Sequence, residues 1–140
     1  MRVVRIYVVL GERPPVEASE DAITVFIVDD DEAVRESLRV LLESYGIEVE
    51  TYDSTSALVA DASPQPPACL ILDQHLNGMT GFDFLTSSER AALDLPVILI
   101  TGQGDAKIRT RALQLGVSDY LEKPLDEMAL LAAIRRAAGT

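Results

Sequence analysis

The chain has 140 residues, of which 48% are hydrophobic, and its formal net charge is −11. This length suits one domain with a substantial core, and the apolar content excludes disorder throughout. The negative charge argues against direct binding to nucleic acid or to an anionic membrane, and no apolar run approaches the ~20 residues that cross a bilayer. The single cysteine, Cys69, excludes an intramolecular disulfide and is interpreted as a small buried hydrophobic residue.

The first 22 residues differ in pattern from the rest of the chain. Residues 3–10 are rich in β-forming side chains, and the Gly-Glu-Arg-Pro-Pro run at 11–15 interrupts them. Two interpretations remain open, namely an extension outside the domain and an extra strand that pairs with a sheet edge. We predict an N-terminal extension over residues 1–22 and a domain over residues 23–140.

From residue 23 onward, short apolar runs alternate with segments of helical spacing. The predicted strands are residues 23–28, 47–52, 68–73, 96–101 and 117–121. The predicted helices are residues 32–45, 55–62, 82–92, 106–115 and 126–138. Continuous apolar runs are typical of strands that are buried on both faces. Five strands alternating with helices therefore predict a parallel sheet with helices on both of its faces.

Polar side chains follow four of the predicted strands. Asp29 and Asp30 follow the first strand, Asp73 ends the third, Thr101 ends the fourth and Lys123 follows the fifth. The carboxyl ends of parallel strands share one edge, where open α/β sheets bind ligands. Clustered carboxylates resist ionisation unless a cation lies among them, and oxygen ligands suit Mg²⁺. A lysine and a hydroxyl can neutralise and hydrogen-bond a phosphoryl group, so we interpret Asp73 as a nucleophile.

Taken together, these motifs resemble the receiver domain of two-component response regulators, over about residues 23–138. The matching segments are Ile27-Val28-Asp29-Asp30-Asp31, Leu72-Asp73 with Gly81 downstream, Ile100-Thr101-Gly102-Gln103-Gly104-Asp105 and Glu122-Lys123-Pro124. Thr-Gly-x-Gly-Asp combined with Glu-Lys-Pro is most similar to the FixJ-type group. The resemblance implies a flavodoxin-like, doubly wound α/β fold with strand order 2-1-3-4-5. It places the site between the first and third strands.

The resemblance also implies a phosphoryl acceptor and a metal site. Asp73 would accept a phosphoryl group from a phosphohistidine on a sensor histidine kinase or a phosphotransfer protein. The implied cofactor is Mg²⁺ (or Mn²⁺). Its implied ligands are Asp29, Asp30, Asp73 and the backbone carbonyl of His75.

The remaining implied roles belong to residues at the ends of the last two strands and to the loop after Asp73. Thr101 would bond a phosphoryl oxygen, and Lys123 would pair with the phosphoryl charge. Tyr120 matches an aromatic switch that turns inward when Thr101 moves toward the phosphate. His75 and Gln103 occupy positions that tune hydrolysis of the phosphoryl group, and the bond between Lys123 and Pro124 is expected to be cis.

Asp31 in the acidic segment, His75 and the loop that follows His75 each need an interpretation of their own. Asp31 is better explained as a carboxylate at a helix N-terminus than as a third metal ligand. The His75 side chain is interpreted as a plain loop residue whose backbone performs the function. The loop at residues 76–81 lacks the proline and acidic residue that are common in the family. Its Asn77-Gly78 pair is therefore expected to make it more mobile.

The function expected from these features is a cytoplasmic, phosphorylation-activated signalling switch that promotes its own phosphorylation and dephosphorylation. We expect phosphorylation to change partner binding or to favour a homodimer through residues 106–115, 117–121 and 126–138. The main alternative is a pseudo-receiver, a binding module without phosphoryl chemistry. A haloacid-dehalogenase-like phosphatase would instead place its nucleophile after the first strand in an Asp-x-Asp pattern. A flavodoxin would need a phosphate-cradling loop there, and an acidic triplet repels phosphate.

Overall fold

The structure is a computed structural model that describes residues 22–139 and the backbone of two short strands before them. The strands are Val4–Ile6 (β1), Glu17–Ser19 (β2), Thr24–Val28 (β3), Glu48–Tyr52 (β4), Ala68–Asp73 (β5), His75–Leu76 (β6), Met79–Thr80 (β7), Val97–Thr101 (β8) and Asp119–Glu122 (β9). The helices are Glu32–Glu43 (α1), Thr55–Asp61 (α2), Gly81–Leu85 (α3), Ser88–Leu93 (α4), Ala106–Gln114 (α5) and Glu127–Ala138 (α6).

Five of the strands form the central sheet, in the order β4-β3-β5-β8-β9. All four neighbouring pairs are parallel. Numbered in chain order among themselves, these strands have the order 2-1-3-4-5. The predicted doubly wound α/β fold is thereby confirmed.

The core consists of two layers, one on each face of this sheet. Alternate side chains of the central strands point to opposite faces, so Phe26 and Leu70 belong to one layer and Ile27 and Ile71 to the other. The second layer is completed by helix residues of α1 and α6, namely Leu38, Leu42, Leu130, Leu131 and Ile134. Every residue of β5 and β8 is buried. Coverage on both faces explains why these strands are continuous apolar runs.

The strands β1 and β2 pair antiparallel with each other, with Arg5 opposite Ala18. Among the described strands, this pair makes a sheet of its own and does not join the central one. The rest of the predicted extension lies outside the described residues, and the boundary at residue 23 stays a prediction. In the part of the chain that the structure describes, no helix combines the length and the apolar character needed to cross a membrane.

The prediction of one helix over residues 82–92 is wrong, because α3 and α4 are separate helices. The Ser87 hydroxyl donates to the Phe84 carbonyl at 2.6 Å and accepts from the Arg90 N–H at 3.4 Å. It therefore competes with the helical backbone bonds and begins a new helix as its N-cap. The first helix ends at Glu43 rather than at residue 45, and Gly46 adopts a φ of +79° beyond that end.

The segment between β5 and α3 is a β-hairpin, in which a two-residue turn connects β6 to β7. His75 pairs with Thr80, Leu76 pairs with Met79, and Gly78 has a φ of +82° in the turn. An Asn-Gly turn suits this geometry because glycine adopts a positive φ without a steric cost. The mobility expected for this loop stays a prediction. The last strand, β9, begins and ends slightly later than the predicted 117–121.

Candidate functional site

Three carboxylates meet at the carboxyl edge of the sheet. The neighbouring strands β3 and β5 pair Val28 with Leu72, so the residues that follow each of these come to lie side by side. Asp29 is fully buried, and Asp73 is 4% exposed. Oxygens of Asp29, Asp30 and Asp73 all lie within 4.8 Å of one another. The predicted convergence of these residues is therefore present in the structure.

The Lys123 ammonium group bridges two of these carboxylates. Its Nζ lies 3.2 Å from Asp29 Oδ2 and 3.3 Å from Asp73 Oδ2. Lys123 reaches the cluster from the bend between β9 and α6, where its bond to Pro124 is cis, as the resemblance implies. Burial alone would lower the pKa of Lys123, but the charges of Asp29 and Asp73 outweigh it and raise the pKa.

The buried Asp29 is held by its own strand end. Its Oδ1 accepts a hydrogen bond from the Asp31 N–H at 2.9 Å. Burial raises the pKa of Asp29, and the charge of Asp73 adds to this effect, whereas the Asp31 N–H and Lys123 oppose it without cancelling it. The Asp31 side chain instead accepts from the Ala33 and Val34 N–H groups as the N-cap of α1. Its interpretation as a helix N-terminal carboxylate is confirmed.

Thr101 and His75 meet beside Asp73. Thr101 is completely buried, and its Oγ1 accepts from the Gln103 N–H at 3.2 Å. The Nδ1 atom of the exposed His75 lies 3.4 Å from the same hydroxyl oxygen. The His75 N–H donates to Asp73 Oδ1 at 3.2 Å. The His75 side chain therefore contacts a predicted site residue, which its interpretation as a plain loop side chain did not include.

Tyr120 lies on β9, directly opposite Leu99 of β8. Its side chain is buried, with the whole residue 9% exposed, and its hydroxyl donates to Glu122 Oε1 at 3.4 Å. Burial raises the pKa of Tyr120, and the Glu122 charge raises it further. The aromatic side chain thus already occupies the inward position that the expected switch would reach only after phosphorylation.

Two residues that shape the site were not assigned a role from the sequence. Gln74 is 5% exposed, and its Oε1 accepts from the Phe82 N–H at 3.1 Å, which ties the acceptor strand to α3. The Arg35 guanidinium donates to the Asp29 carbonyl at 2.6 Å. A polar residue directly after a buried strand was the only signal for Gln74. The sequence contains no such signal for Arg35, since an arginine in the first turns of an amphipathic helix is ordinary.

The donor set fits a hard divalent cation. Asp29, Asp30 and Asp73 supply carboxylate oxygens within a small volume, and such oxygens are the ligands that Mg²⁺ prefers. Lys123 already offsets part of their charge, and a cation would offset the remainder. The site can therefore combine a nucleophilic carboxylate with positive charge beside it, which is what attack on a phosphoryl group requires.

Known proteins of one family are similar to this chain. A family model, the response regulator receiver domain, matches residues 25–135. The transcriptional regulatory protein FixJ of Azorhizobium caulinodans is 37% identical over 119 residues, covering 85% of this chain and 56% of FixJ. Nodulation protein W of Bradyrhizobium diazoefficiens is 39% identical over 124 residues, covering 89% of this chain and 54% of that protein. The chain therefore spans about half the length of these curated relatives.

Among solved structures, the beryllofluoride-activated NtrC4 receiver domain dimer superposes with a TM-score of 0.74 at 27% identity. The match covers 83% of this chain and 96% of the NtrC4 chain. Motifs, strand order and these matches lead to one conclusion. The chain belongs to the response regulator receiver domain family of two-component systems, and its motifs are those of the FixJ-type group.

Proposed function

We propose that the chain is a phosphorylation-activated switch that accepts a phosphoryl group on Asp73. The observation that carries the proposal is the bridge from the Lys123 ammonium to both Asp29 and Asp73. This bridge positions the Asp73 carboxylate beside the positive charge of Lys123 at the edge of the sheet. The proposed donor is a phosphohistidine on a sensor histidine kinase or a phosphotransfer protein, and the proposed location of the exchange is the cytoplasm.

The proposed transfer forms one bond and breaks one. An oxygen of the Asp73 carboxylate attacks the phosphorus, and the phosphorus–nitrogen bond of the phosphohistidine breaks. The leaving imidazole nitrogen keeps the electron pair of that bond and takes up a proton. Asp29, Asp30, Asp73 and the His75 carbonyl would hold Mg²⁺ or Mn²⁺, which supplies charge neutralisation during the transfer. Lys123 adds a second positive charge from the bend after β9.

The acyl phosphate that results carries about −1.5 to −2 charge and three strong acceptor oxygens. Lys123 contacts Asp73 directly, and the Thr101 hydroxyl, at the end of the neighbouring strand β8, is proposed to respond to these oxygens as well. Thr101 must then exchange its contact with His75 for one with the phosphoryl group. In dephosphorylation, water attacks the phosphorus and the electron pair of the broken bond returns to Asp73. His75 and Gln103 are proposed to tune that step.

The proposed output is a homodimer through the surface formed by α5, β9 and α6. Exposed basic side chains lie on α5, and exposed acidic ones lie at the end of β9 and the start of α6. The basic residues are Lys107, Arg109 and Arg111, and the acidic residues are Glu122 and Asp126. A twofold arrangement can place the basic part of one copy against the acidic part of another. The activated NtrC4 receiver domain is itself a dimer.

Because Tyr120 is already buried, the proposed switch acts as a population shift. The phosphoryl group would stabilise the inward conformation of Tyr120 against an outward one, as far as it binds the two states differently. The pseudo-receiver alternative predicts no transfer to Asp73 at all. The phosphatase alternative is disfavoured because the paired aspartates, Asp29 and Asp30, are adjacent in sequence.

The test is the intact mass of the protein after incubation with acetyl phosphate and Mg²⁺. The parent protein should gain the mass of one phosphoryl group, and Asp73→Asn should gain none. Asp53→Asn is the matched control, because Asp53 is an exposed carboxylate at the end of β4 and lies outside the cluster. A phosphorylated Asp73→Asn protein, or an unlabelled parent, would overturn the proposal.

A further inference from the structure

The hydroxyl of Tyr120 has a closely fitted position against the loop that carries Thr101. This loop runs from the end of β8 to Asp105, which begins α5 as its N-cap. The Tyr120 hydroxyl is hydrogen-bonded to Glu122 at 3.4 Å. Both groups converge on Gly104, three residues after Thr101. The loop therefore contacts the buried aromatic side chain at its most polar atom.

Gly104 leaves the space that the hydroxyl occupies. A Cβ atom added at Gly104 would lie 1.9 Å from Tyr120 Oη and 2.7 Å from Glu122 Oε1. Any side chain at position 104 would therefore collide with the inward conformation of Tyr120. The backbone of Gly104 does not have a positive φ, so alanine could adopt it. An alanine at position 104 would therefore require the ends of the Tyr120 and Glu122 side chains to move.

Gly102, in the same loop, has room for a side chain where Gly104 does not. A Cβ atom added at Gly102 would have no heavy atom within 4 Å. Its φ is also not positive. The two glycines lie on either side of Gln103, and only at Gly104 would an added side chain overlap Tyr120. The requirement at Gly104 is therefore not a general property of a glycine-rich loop.

We propose that Gly104 is a positioning residue of the switch: by lacking a side chain it forms, with Glu122, the seat that holds the Tyr120 hydroxyl inward. The proposal rests on the proposed function, in which the inward conformation of Tyr120 is the active one. It adds a requirement that the family resemblance does not give. The occupancy of the inward state depends on the volume at residue 104 together with the hydroxyl at residue 120.

The proposal predicts that the inward position of the aromatic ring is lost when Gly104 gains a side chain, and is recovered when the hydroxyl at residue 120 is also removed. Gly104→Ala should displace the Tyr120 ring, because its Cβ and Oη cannot share the site. Tyr120→Phe removes Oη and should leave the ring inward. In the double variant, Gly104→Ala with Tyr120→Phe, the overlap with Oη is gone. A tight contact with the ring carbon that bore it, and one with the flexible end of exposed Glu122, remain, and a small shift relieves both, so the aromatic ring should return. Gly102→Ala is the control and should behave as the parent.

The first measurement is made without phosphorylation, from ring resonances of isotope-labelled tyrosine and phenylalanine in NMR spectra. The Tyr120 ring signals should move toward those of an exposed tyrosine in Gly104→Ala and stay unchanged in Gly102→Ala. For the double variant, the inward reference is the new phenylalanine ring signal of the Tyr120→Phe single variant, and the two signals should coincide. Unmoved ring signals in Gly104→Ala would overturn the proposal.

The second measurement is dimerisation in beryllofluoride and Mg²⁺, followed by analytical ultracentrifugation. Gly104→Ala should weaken the beryllofluoride-dependent dimer roughly tenfold, a typical effect of overpacking one site. The double variant should recover most of that loss. A double variant as weak as Gly104→Ala would contradict the seat. If the parent itself stays monomeric, the dimer proposal fails, and the NMR measurement still decides whether Gly104 positions Tyr120.

Discussion

At the scale of single residues, burial of Asp29 lowers the stability of the metal-free protein. Its pKa is raised, mainly by burial, so its charged form is unfavourable in the fold. When an acid has a higher pKa in the folded state than in the unfolded state, the free energy of unfolding falls as the pH rises from the unfolded-state pKa to the folded-state pKa. Above the folded-state pKa the loss stays constant. At low pH, where Asp29 is protonated in both states, this penalty is absent.

We therefore expect Asp29→Asn to raise the melting temperature of the metal-free protein at neutral pH. The expected rise is roughly 2–5 °C, as about 1 kcal/mol would produce in a domain of this size. The gain should disappear at a pH below the ordinary aspartate value of 3.8. Thermal unfolding at several pH values in chelator measures it, and a gain that is largest at low pH would contradict the assignment.

Mg²⁺ provides the companion test of the cluster. Added Mg²⁺ should stabilise the parent by mass action, and Asp29→Ala and Asp30→Ala should each weaken this response. The readout is the melting temperature with and without Mg²⁺. An unchanged Mg²⁺ response in both variants would count against the metal site.

His75 is the residue whose contact the sequence did not predict. The Nδ1 atom of its exposed imidazole lies 3.4 Å from the hydroxyl oxygen of the buried Thr101. We expect His75→Ala to shorten the lifetime of the phosphoryl group severalfold, because water would gain access, while the backbone N–H bond to Asp73 remains. Gln103→Ala should have a smaller effect, since its side chain is exposed. Decay followed by intact mass decides this, and unchanged rates in both variants would refute the tuning role.

At the scale of elements, Gly81 connects the hairpin after Asp73 to the core. A Cβ atom there would lie 2.8 Å from Leu99 Cδ1, 2.9 Å from Gln74 Oε1 and 3.1 Å from the Asp73 carbonyl oxygen. Gly81→Ala should destabilise the protein by about 1–3 kcal/mol, the usual cost of overpacking. Denaturant unfolding measures this, with Gly102→Ala as the control. Equal stability of the two variants would show that the close approach is unimportant.

The elements that the sequence predicted correctly are those whose pattern depends on burial. Strands such as β5 and β8 are covered on both faces, so their residues must be apolar throughout. The break between α3 and α4 depends on how the Ser87 hydroxyl is oriented, and the seat of Tyr120 depends on a contact between separate elements. The spacing of residues along the chain predicts neither the helix break nor this contact.

At the scale of the whole molecule, the surface of α5, β9 and α6 should respond to the state of Asp73. We expect beryllofluoride with Mg²⁺ to promote a homodimer, and Thr101→Ala to accept phosphate while transmitting less of the change. Sedimentation measures both effects. A protein that binds the mimic yet stays monomeric at all accessible concentrations would refute the dimer. A Thr101→Ala variant that dimerises like the parent would refute only the route through Thr101.

The strand-end residues that lie far apart in the chain meet because parallel strands share one carboxyl edge. This is why the location of Asp29, Asp73, Thr101 and Lys123 could be predicted from the sequence. The buried position of Tyr120 could not, because it depends on which conformation of the side chain the packed protein prefers. That preference is a property of the whole packed molecule and not of the β9 sequence.

The most direct test of phosphorylation at Asp73 is to locate the phosphoryl group by peptide mass analysis after treatment with acetyl phosphate, either with Mg²⁺ or with excess chelator. We expect the group on the peptide that contains Asp73, and only when the divalent cation is present. A phosphoryl group on any other peptide would show that Asp73 is not the acceptor, and full labelling of Asp73 in excess chelator would show that the transfer needs no divalent cation.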